Sequence, residues 1–363
     1  MKVIRVVSEL DFGGVEQVLA NSIPEIAGNK EMDISIIVLG KGGKVAQELI
    51  QQGIMVNVLN LNPRIPNFGL ILKLKQIFLE SNPEVVHSQG AEANFHGILA
   101  ANWAGIKRIV GEEIGIPNHH SYWKYIFRWV YSKAHVIIGI SEAVKTAMVG
   151  MGEVKEEKVL VVYNPVSEVK RDRLDAPKNE NAMHPTVFVT TGRLVKIKNL
   201  DTLLKVFSKL VHDNPQKLVE LWIVGDGPER QHLEQLAFDL EINDKVKFFG
   251  FQEDVYSVLK QADYFVLPSF SEGSSVSLVE AMVSGLPSIV TEVGGTLEIL
   301  GSSQSGVLIN PRKSTSILDA MNYFLNFAES EKIELGQRAK IEAQRFSVQS
   351  YLNHLLQIYQ FPG

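Results

Sequence analysis

Short apolar, β-branched runs alternate along this chain with longer amphipathic ones. In the first half the runs are "VIRVV", "ISIIVL", "VVH", "RIV", "HVIIGI" and "VLVVY". Continuous apolar runs, as opposed to every-other-residue patterns, predict strands buried on both faces, as in a parallel sheet covered by helices. The rhythm breaks at "YNPVSEVKRDRLDAPKNENAMHP", Tyr163 to Pro185, which is rich in Pro, Asn and charge and has no apolar period. That stretch reads as an interdomain connection. Alternation then resumes with "TVFVTTG", "LVELWIVG", "KVKFFG", "YFVLPS", "PSIVT" and "GVLI". The pattern predicts an α/β protein with two successive parallel-sheet domains, 1–165 and 166–345. The amphipathic "VQSYLNHLLQIYQ" follows the last strand signal, so 346–363 is read as a C-terminal helix free to pack back on the N-terminal domain.

Composition narrows the class. A chain of 363 residues, 45% hydrophobic and 21% charged, has ample material for two cores. Its net charge of −5 argues against nucleic acid as a partner, and the excess of acids lies in the second half. Cysteine is absent, which removes disulfides and thiolate metal sites and suits a reducing, cytoplasmic setting. Glu9 and Asp11 interrupt the start before any signal-peptide apolar region forms, and no apolar run reaches membrane-spanning length.

Open parallel sheets bind ligands at the carboxyl ends of their strands, where helix N–H groups and dipoles point. Three such loops carry chemistry. In "SELDFGGVEQVLANSI", Gly13 and Gly14 would let an anion approach the main chain, although taken alone a plain tight turn explains them better. In "TTGRLVKIKNLDTLL", Arg193 and Lys198 would suit a diphosphate, the guanidinium through a bidentate fork and the ammonium as a point charge; solvated surface cations are the bland reading. Asn199 is read there as a helix cap.

The third loop is "SEGSSVSLVEAM". Ser274 or Ser275 caps a helix, with Glu272 before it and Glu280 inside it, roughly 8 Å further along the axis. Carboxylates accept hydrogen bonds and repel phosphate. If the cap holds a phosphate, the two glutamates are placed for hydroxyl groups on either side of it, the layout of a nucleotide sugar. Read plainly, Glu272 partners the helix dipole and Glu280 is a surface residue.

Taken together, these segments are specific. The pair Glu272 and Glu280, seven residues between them, within "LPSFSEGSSVSLVEAMVSGLPSIVT" resembles the signature of glycosyltransferase family 4, retaining enzymes of GT-B fold. "GRLVKIKNLDTLL", "WIVGDGPERQHLEQLA" and "VKFFGFQEDVYSVLKQADYFVLPS" are similar to the preceding family segments, in the same order, as are "GGVEQVLANS" and "SKAHVIIGISEAVKTAM" in the first half. The resemblance implies two Rossmann-like domains whose parallel sheets face each other across a cleft, the first for the acceptor and the second for the donor. It implies that Glu280 binds ribose hydroxyls, that Glu272 binds the transferred sugar, and that Arg193 and Lys198 neutralise the leaving diphosphate. The Gly13 and Gly14 loop would reach the same phosphates, Phe251 would lie by the base, and Gly273, Ser274, Ser275, Val276 and Ser277 would line the sugar and phosphate pocket. Two positions depart from the family pattern: Ser274 stands where an aromatic residue is common, and "RIVGEEIG" offers Glu112 and Glu113 where many members carry a histidine. Glu112, Glu113 and His87 are therefore the acceptor-side candidates.

The implied reaction moves a hexose-type sugar, with retention, from a nucleoside diphosphate sugar, UDP before GDP, to a glycan or lipid-linked saccharide in surface-polysaccharide synthesis. No cofactor is expected. Without an Asp-x-Asp motif or clustered ligands at metal spacing, no metal is expected either. A noncatalytic nucleotide-sugar sensor of the same fold is the alternative. A dinucleotide oxidoreductase lacks its G-x-G-x-x-G, and a P-loop enzyme lacks its G-x-x-x-x-G-K-[ST].

The segment "HHSYWKYIFRWVYSK", 119–133, contains two tryptophans, three basic residues and no acid. As a helix it puts Trp123, Ile126, Phe127 and Val130 on one face with Lys124 and Arg128 beside them. This is either a core helix or a peripheral contact with the inner face of the membrane. His119 and His120, like His87, could face the cleft, although a satisfied structural histidine is the plainer reading of each.

Overall fold

The computed structural model describes residues 1–11, 14–28, 31–117, 122–166 and 184–360. The chain divides into two compact units, Met1–Ser167 with Phe346–Gly363, and Glu168–Arg345. Most of the Tyr163 to Pro185 connection lies outside the described residues, as do Gly13, His119 and His120.

The first unit is built on seven parallel strands: β1 (Lys2–Val7), β2 (Asp33–Val38), β3 (Met55–Val58), β4 (Val85–Gln89), β5 (Arg108–Glu113), β6 (Val136–Gly139) and β7 (Val159–Val161). Their order is β3-β2-β1-β4-β5-β6-β7, so the sheet reverses direction of growth between β1 and β4. β4 and β5 are buried at every position, as their unbroken apolar runs require. β3 carried no signal in the sequence because it is a short edge strand with "MVNV" half in solvent. Between the strands run α1 (Gly14–Gly28), α2 (Lys44–Gln51), α3 (Phe68–Ser81), α4 (Ala91–Ala104), α5 (Trp123–Ser132) and α6 (Glu142–Gly150). One face of the sheet packs on α3 to α6 through residues such as Leu74, Ile98, Phe127 and Met148.

In the second unit the strands are β8 (Thr186–Thr191), β9 (Val219–Val224), β10 (Val246–Gly250), β11 (Tyr264–Leu267), β12 (Ser288–Thr291) and β13 (Gly306–Ile309). They pair in parallel in the order β10-β9-β8-β11-β12-β13, with the reversal between β8 and β11. The helices are α7 (Leu200–Asp213), α8 (Arg230–Asp239), α9 (Val255–Leu259), α10 (Val276–Ser284), α11 (Thr296–Leu300), α12 (Ser314–Leu325) and α13 (Glu329–Ala343).

The last helix, α14 (Val348–Gln360), belongs to the first unit. Its Leu352, Leu355 and Ile358 pack against Val3, Val7, Val85 and Val110 on the sheet face opposite α4. Each such buried aliphatic side chain contributes about 1.5–3 kcal/mol. A main-chain bridge between Val166 and Ser347 ties the return of the chain to the exit from β7. Among the described residues no helix is long and apolar enough to cross a membrane.

Candidate functional site

The reversal between β8 and β11 leaves a crevice at the carboxyl ends of two neighbouring strands, where the loops they feed can hold a ligand. After β8 the chain turns at Gly192, and Thr190, Gly192, Arg193, Lys198, Leu267 and Ser269 line an open pocket there. Arg193 is exposed. Lys198 Nζ donates to Glu272 Oε1 at 2.7 Å, the lysine 22% and the glutamate 8% exposed. The fold thus joins two residues that lie 74 positions apart in sequence.

Neighbouring loops hold this geometry. Asn199 sits at the start of α7 in the left-handed region, φ 57°, and makes no capping bond with its side chain. Instead its Nδ2 donates to the carbonyls of Pro268 and Pro311 at 3.0 and 3.1 Å, clamping the loop after β8 to the loop after β11. The expected side-chain cap is therefore replaced by a buried clamp: the amide NH2 donates to two carbonyls, and the side chain accepts nothing from the helix N–H groups. Gly225, at φ +132°, packs so closely on the carbonyl of Gly192 that a Cβ there would collide with it. Gly294, at φ +56°, stands in the same relation to the carbonyl of Glu272. Neither glycine was singled out from the sequence; the signals were "VGDGP", whose first glycine directly follows β9, and "VGGT" in the loop after β12.

α10 is capped at its start by Ser275, whose Oγ accepts from Leu278 N at 3.3 Å, and at its end by Gly285 in the left-handed conformation. Gly273, Ser274, Val276 and Ser277 are partly exposed around this cap. Glu280 lies one and a half turns on, part-buried, and burial pushes its carboxyl up to about 7. Phe251 directly follows β10 and is exposed.

The first unit places its candidates differently. Gly14 is the first residue of α1. His87, Glu112 and Glu113 are all buried, and their side chains are committed to internal partners. Glu112 accepts from Arg5 at 3.3 Å and from Gln89 at 3.0 Å, and its Oε2 lies 2.9 Å from His87 Nε2. His87 Nδ1 meets the hydroxyl of Tyr359 at 2.7 Å, and Arg5 reaches Tyr351, both tyrosines on α14. Glu113 accepts from Tyr131 and Asn94. The acceptor-facing role given to Glu112 and Glu113 is therefore corrected to an interior one, and His87 is the satisfied structural histidine of its plainer reading. Their electrostatics fit that place. Burial, seconded by Arg5, pushes the His87 imidazole down to about 4. Burial opposes the Glu112 charge, but His87, Arg5 and Gln89 together hold its carboxyl below the usual value.

The expectation of no clustered metal-type ligands also needs correcting. Asp201, Glu229 and His232 bring their ligand atoms within 4.8 Å of one another, with His232 Nε2 2.7 Å from Asp201 Oδ2. Spacing hid this group because Asp201 comes from α7 while the other two lie at the start of α8. Both helix N-termini carry partial positive charge, which favours the carboxylates and disfavours a cation.

Comparison with known sequences agrees with this geometry. The family described as Glycosyltransferase Family 4 matches residues 12–169, and the one described as Glycosyl transferases group 1 matches 172–342. The chain belongs to glycosyltransferase family 4. Its architecture is GT-B, two parallel-sheet Rossmann-like domains. Among curated relatives, the phosphatidylinositol N-acetylglucosaminyltransferase GPI3 subunit of Saccharomyces cerevisiae strain YJM789 is 27% identical over 72% of this chain and 59% of its own length. The family-4 chain spans less than half the length of several other curated relatives. The lipopolysaccharide core biosynthesis glycosyltransferase LpsE of Rhizobium meliloti is 26% identical over 82% of this chain and 81% of its own. Among solved structures, Anabaena Alr3699/HepE in complex with UDP superposes with a TM-score of 0.82 at 22% identity, covering 98% of this chain and 99% of the other.

Proposed function

We propose that this protein is a retaining glycosyltransferase that moves a hexose-type sugar from a nucleoside diphosphate sugar, UDP before GDP, to a glycan or lipid-linked saccharide of a bacterial surface polysaccharide. The observation that carries the reading is the Lys198–Glu272 pair at 2.7 Å in a pocket where Arg193 is also exposed. Two cations and a carboxylate meet where a strand-end crevice would receive a diphosphate and the sugar attached to it. Support for UDP comes from the Anabaena structure, which holds that nucleotide, and support for a lipid or polysaccharide acceptor from the names of the GPI3 and LpsE relatives.

As the glycosidic bond lengthens, negative charge grows on the diphosphate. Arg193 and Lys198, fixed beside it, stabilise that charge more than they stabilise the ground state. Glu272, once Lys198 turns to phosphate, accepts from sugar hydroxyls, and Glu280 accepts from the ribose. The departing phosphate takes the acceptor proton on the same face, so the anomeric configuration is kept. With two cations at the diphosphate the reaction proceeds without a metal. Absence of cysteine agrees with work in a reducing compartment, the cytoplasm.

A thermal-shift panel of UDP, GDP and their sugars tests the donor, because a ligand at 100 times its dissociation constant adds about 2.7 kcal/mol of stability. Release of UDP only when a saccharide acceptor is present, unaffected by EDTA, with product configuration matching donor by NMR, is the expected outcome. Binding without release would make the chain a sensor; no shift with any nucleotide would overturn the reading.

A further inference from the structure

α5 is aromatic on both of its sides. Its inner side, Phe127, Val130 and Tyr131 with Trp123 and Ile126 partly buried, fills the core beside α4, so the face expected from spacing alone to be available for a membrane is used up in packing. The outer side is the unexplained one. Tyr122, Tyr125 and Trp129 are 60%, 62% and 50% exposed and recur at three- and four-residue spacing along one stripe.

Cations flank that stripe on both edges. Lys124 Nζ lies 5.1 Å from the centre of the Tyr125 ring and Lys133 Nζ 5.8 Å from that of Trp129. Arg128 is exposed between them. Among the described residues none of Lys124, Arg128 and Lys133 has a carboxylate partner, whereas Lys145 and Lys155 nearby are paired with Glu156 and Glu157. From Tyr122 to Lys133 there is no acid at all, in a chain whose net charge is −5. A solvated helix surface in an acidic protein has no need of three large rings in a row; burial of ring faces with cations alongside is the chemistry of a surface that is apolar beneath and anionic on top.

We propose that the outer face of α5, Tyr122, Tyr125 and Trp129 with Lys124, Arg128 and Lys133, docks on an anionic lipid bilayer. Charge complementarity selects this occupant: the rings enter the headgroup layer and the three ammonium and guanidinium groups stay at phosphate level. Each basic side chain near an anionic surface gains roughly fivefold in partitioning, so three give roughly a hundredfold preference for anionic over zwitterionic vesicles. α5 starts on the side of the sheet where β5 ends, so docking would bring lipid to the strands' carboxyl edge, where a lipid-linked saccharide would be needed. The proposal does not depend on the donor chemistry, since vesicle binding is measured without nucleotide.

Co-sedimentation with phosphatidylglycerol-containing vesicles at low salt tests it, with pure phosphatidylcholine vesicles as the contrast. The intact chain should pellet with the first and not the second. Tyr125→Ser with Trp129→Ser, and separately Lys124→Glu with Arg128→Glu, should each cut the bound fraction at least tenfold. Melting temperatures and UDP binding should stay those of the parent, because these side chains face solvent. Failure of the intact chain to pellet with anionic vesicles, or pelleting of both double variants like the parent, would overturn the proposal. So would a dimer in sedimentation velocity that disappears in Trp129→Ser, which would assign the face to a second copy of the chain.

Discussion

Each unit brings a cation and a carboxylate together near the strands where its sheet reverses, and the two pairs have opposite fates. In the first unit Arg5 on β1 meets Glu112 on β5, with His87 on β4 between them, and α14 closes over the group with Tyr351 and Tyr359. In the second, Lys198 after β8 meets Glu272 after β11 beside an open pocket, with the lysine still 22% exposed. The chemistry is the same; solvent access is not. A sealed pair must satisfy itself internally, because a buried charge without partners is costly, and so it has little left for a ligand. An open pair can exchange its partner for a phosphate or a hydroxyl.

The largest effect that would break this contrast is on stability. Glu112→Ala leaves the Arg5 guanidinium buried without its carboxylate and should cost about 3–5 kcal/mol in urea unfolding, whereas Glu272→Ala should cost less, about 1–2 kcal/mol, because Lys198 is 22% exposed and can turn to water. Equal losses would erase the distinction. Activity should sort the other way: Arg193→Ala or Lys198→Ala should lower sugar transfer by roughly 10² while leaving the melting temperature nearly unchanged, as for loss of a charge-stabilising donor. Near-normal turnover in either purified variant would count heavily against the donor assignment.

Gly294 sharpens the comparison one step further out. Gly294→Ala would force a Cβ against the carbonyl of Glu272 and strain a backbone at φ +56°, so a cost of about 1–3 kcal/mol is expected. Transfer should fall at least roughly tenfold through displacement of Glu272, as a small misplacement of a reacting group does. Retained transfer would show that the loop after β12 does not position the carboxylate.

Glu280 gives a pH dependence. Its folded carboxyl, raised to about 7 by burial, binds a proton more tightly than in the unfolded chain, where it titrates near 4.5. Between those values the folded state holds more protons, so this group's contribution to stability is greatest in acid and falls as pH rises to about 7. Glu280→Gln should therefore gain on the parent by up to about 1 kcal/mol per pH unit between pH 5 and 7, read from urea midpoints. A constant difference across that range would refute the assignment of the shift. The smallest effect is at the rim of the sealed pair: Tyr359→Phe removes the hydroxyl from His87 Nδ1 and should cost about 1 kcal/mol.

Much of the architecture could be read directly. Strands such as "VVH" and "YFVL" are apolar at nearly every position because both faces are covered, and that continuity is visible without coordinates. β3 was invisible because an edge strand half in solvent has no such continuity. The order of motifs around Glu272 and Glu280 was enough to name the family. Asn199 looked like a cap because Asn before a helix usually is one, and only the loops after β11 and β13 supplied the carbonyls that took its amide instead. Glu112 and Glu113 were acceptor-side candidates because they stand where many family members carry a histidine; the partners that hold Glu112 come from β1 and β4, and those that hold Glu113 come from α4 and α5.

Local patterns along the chain therefore determined the strands, the helices and the kind of loop that could meet a diphosphate. Only tertiary structure decided which charges are sealed and which stay open, because burial depends on what packs over a residue from far away in sequence. α14 lies more than three hundred residues from Arg5 and caps it, while the Lys198 side chain keeps 22% of its surface exposed. Periodicity reports which way a side chain points, and it carries no information about what waits there.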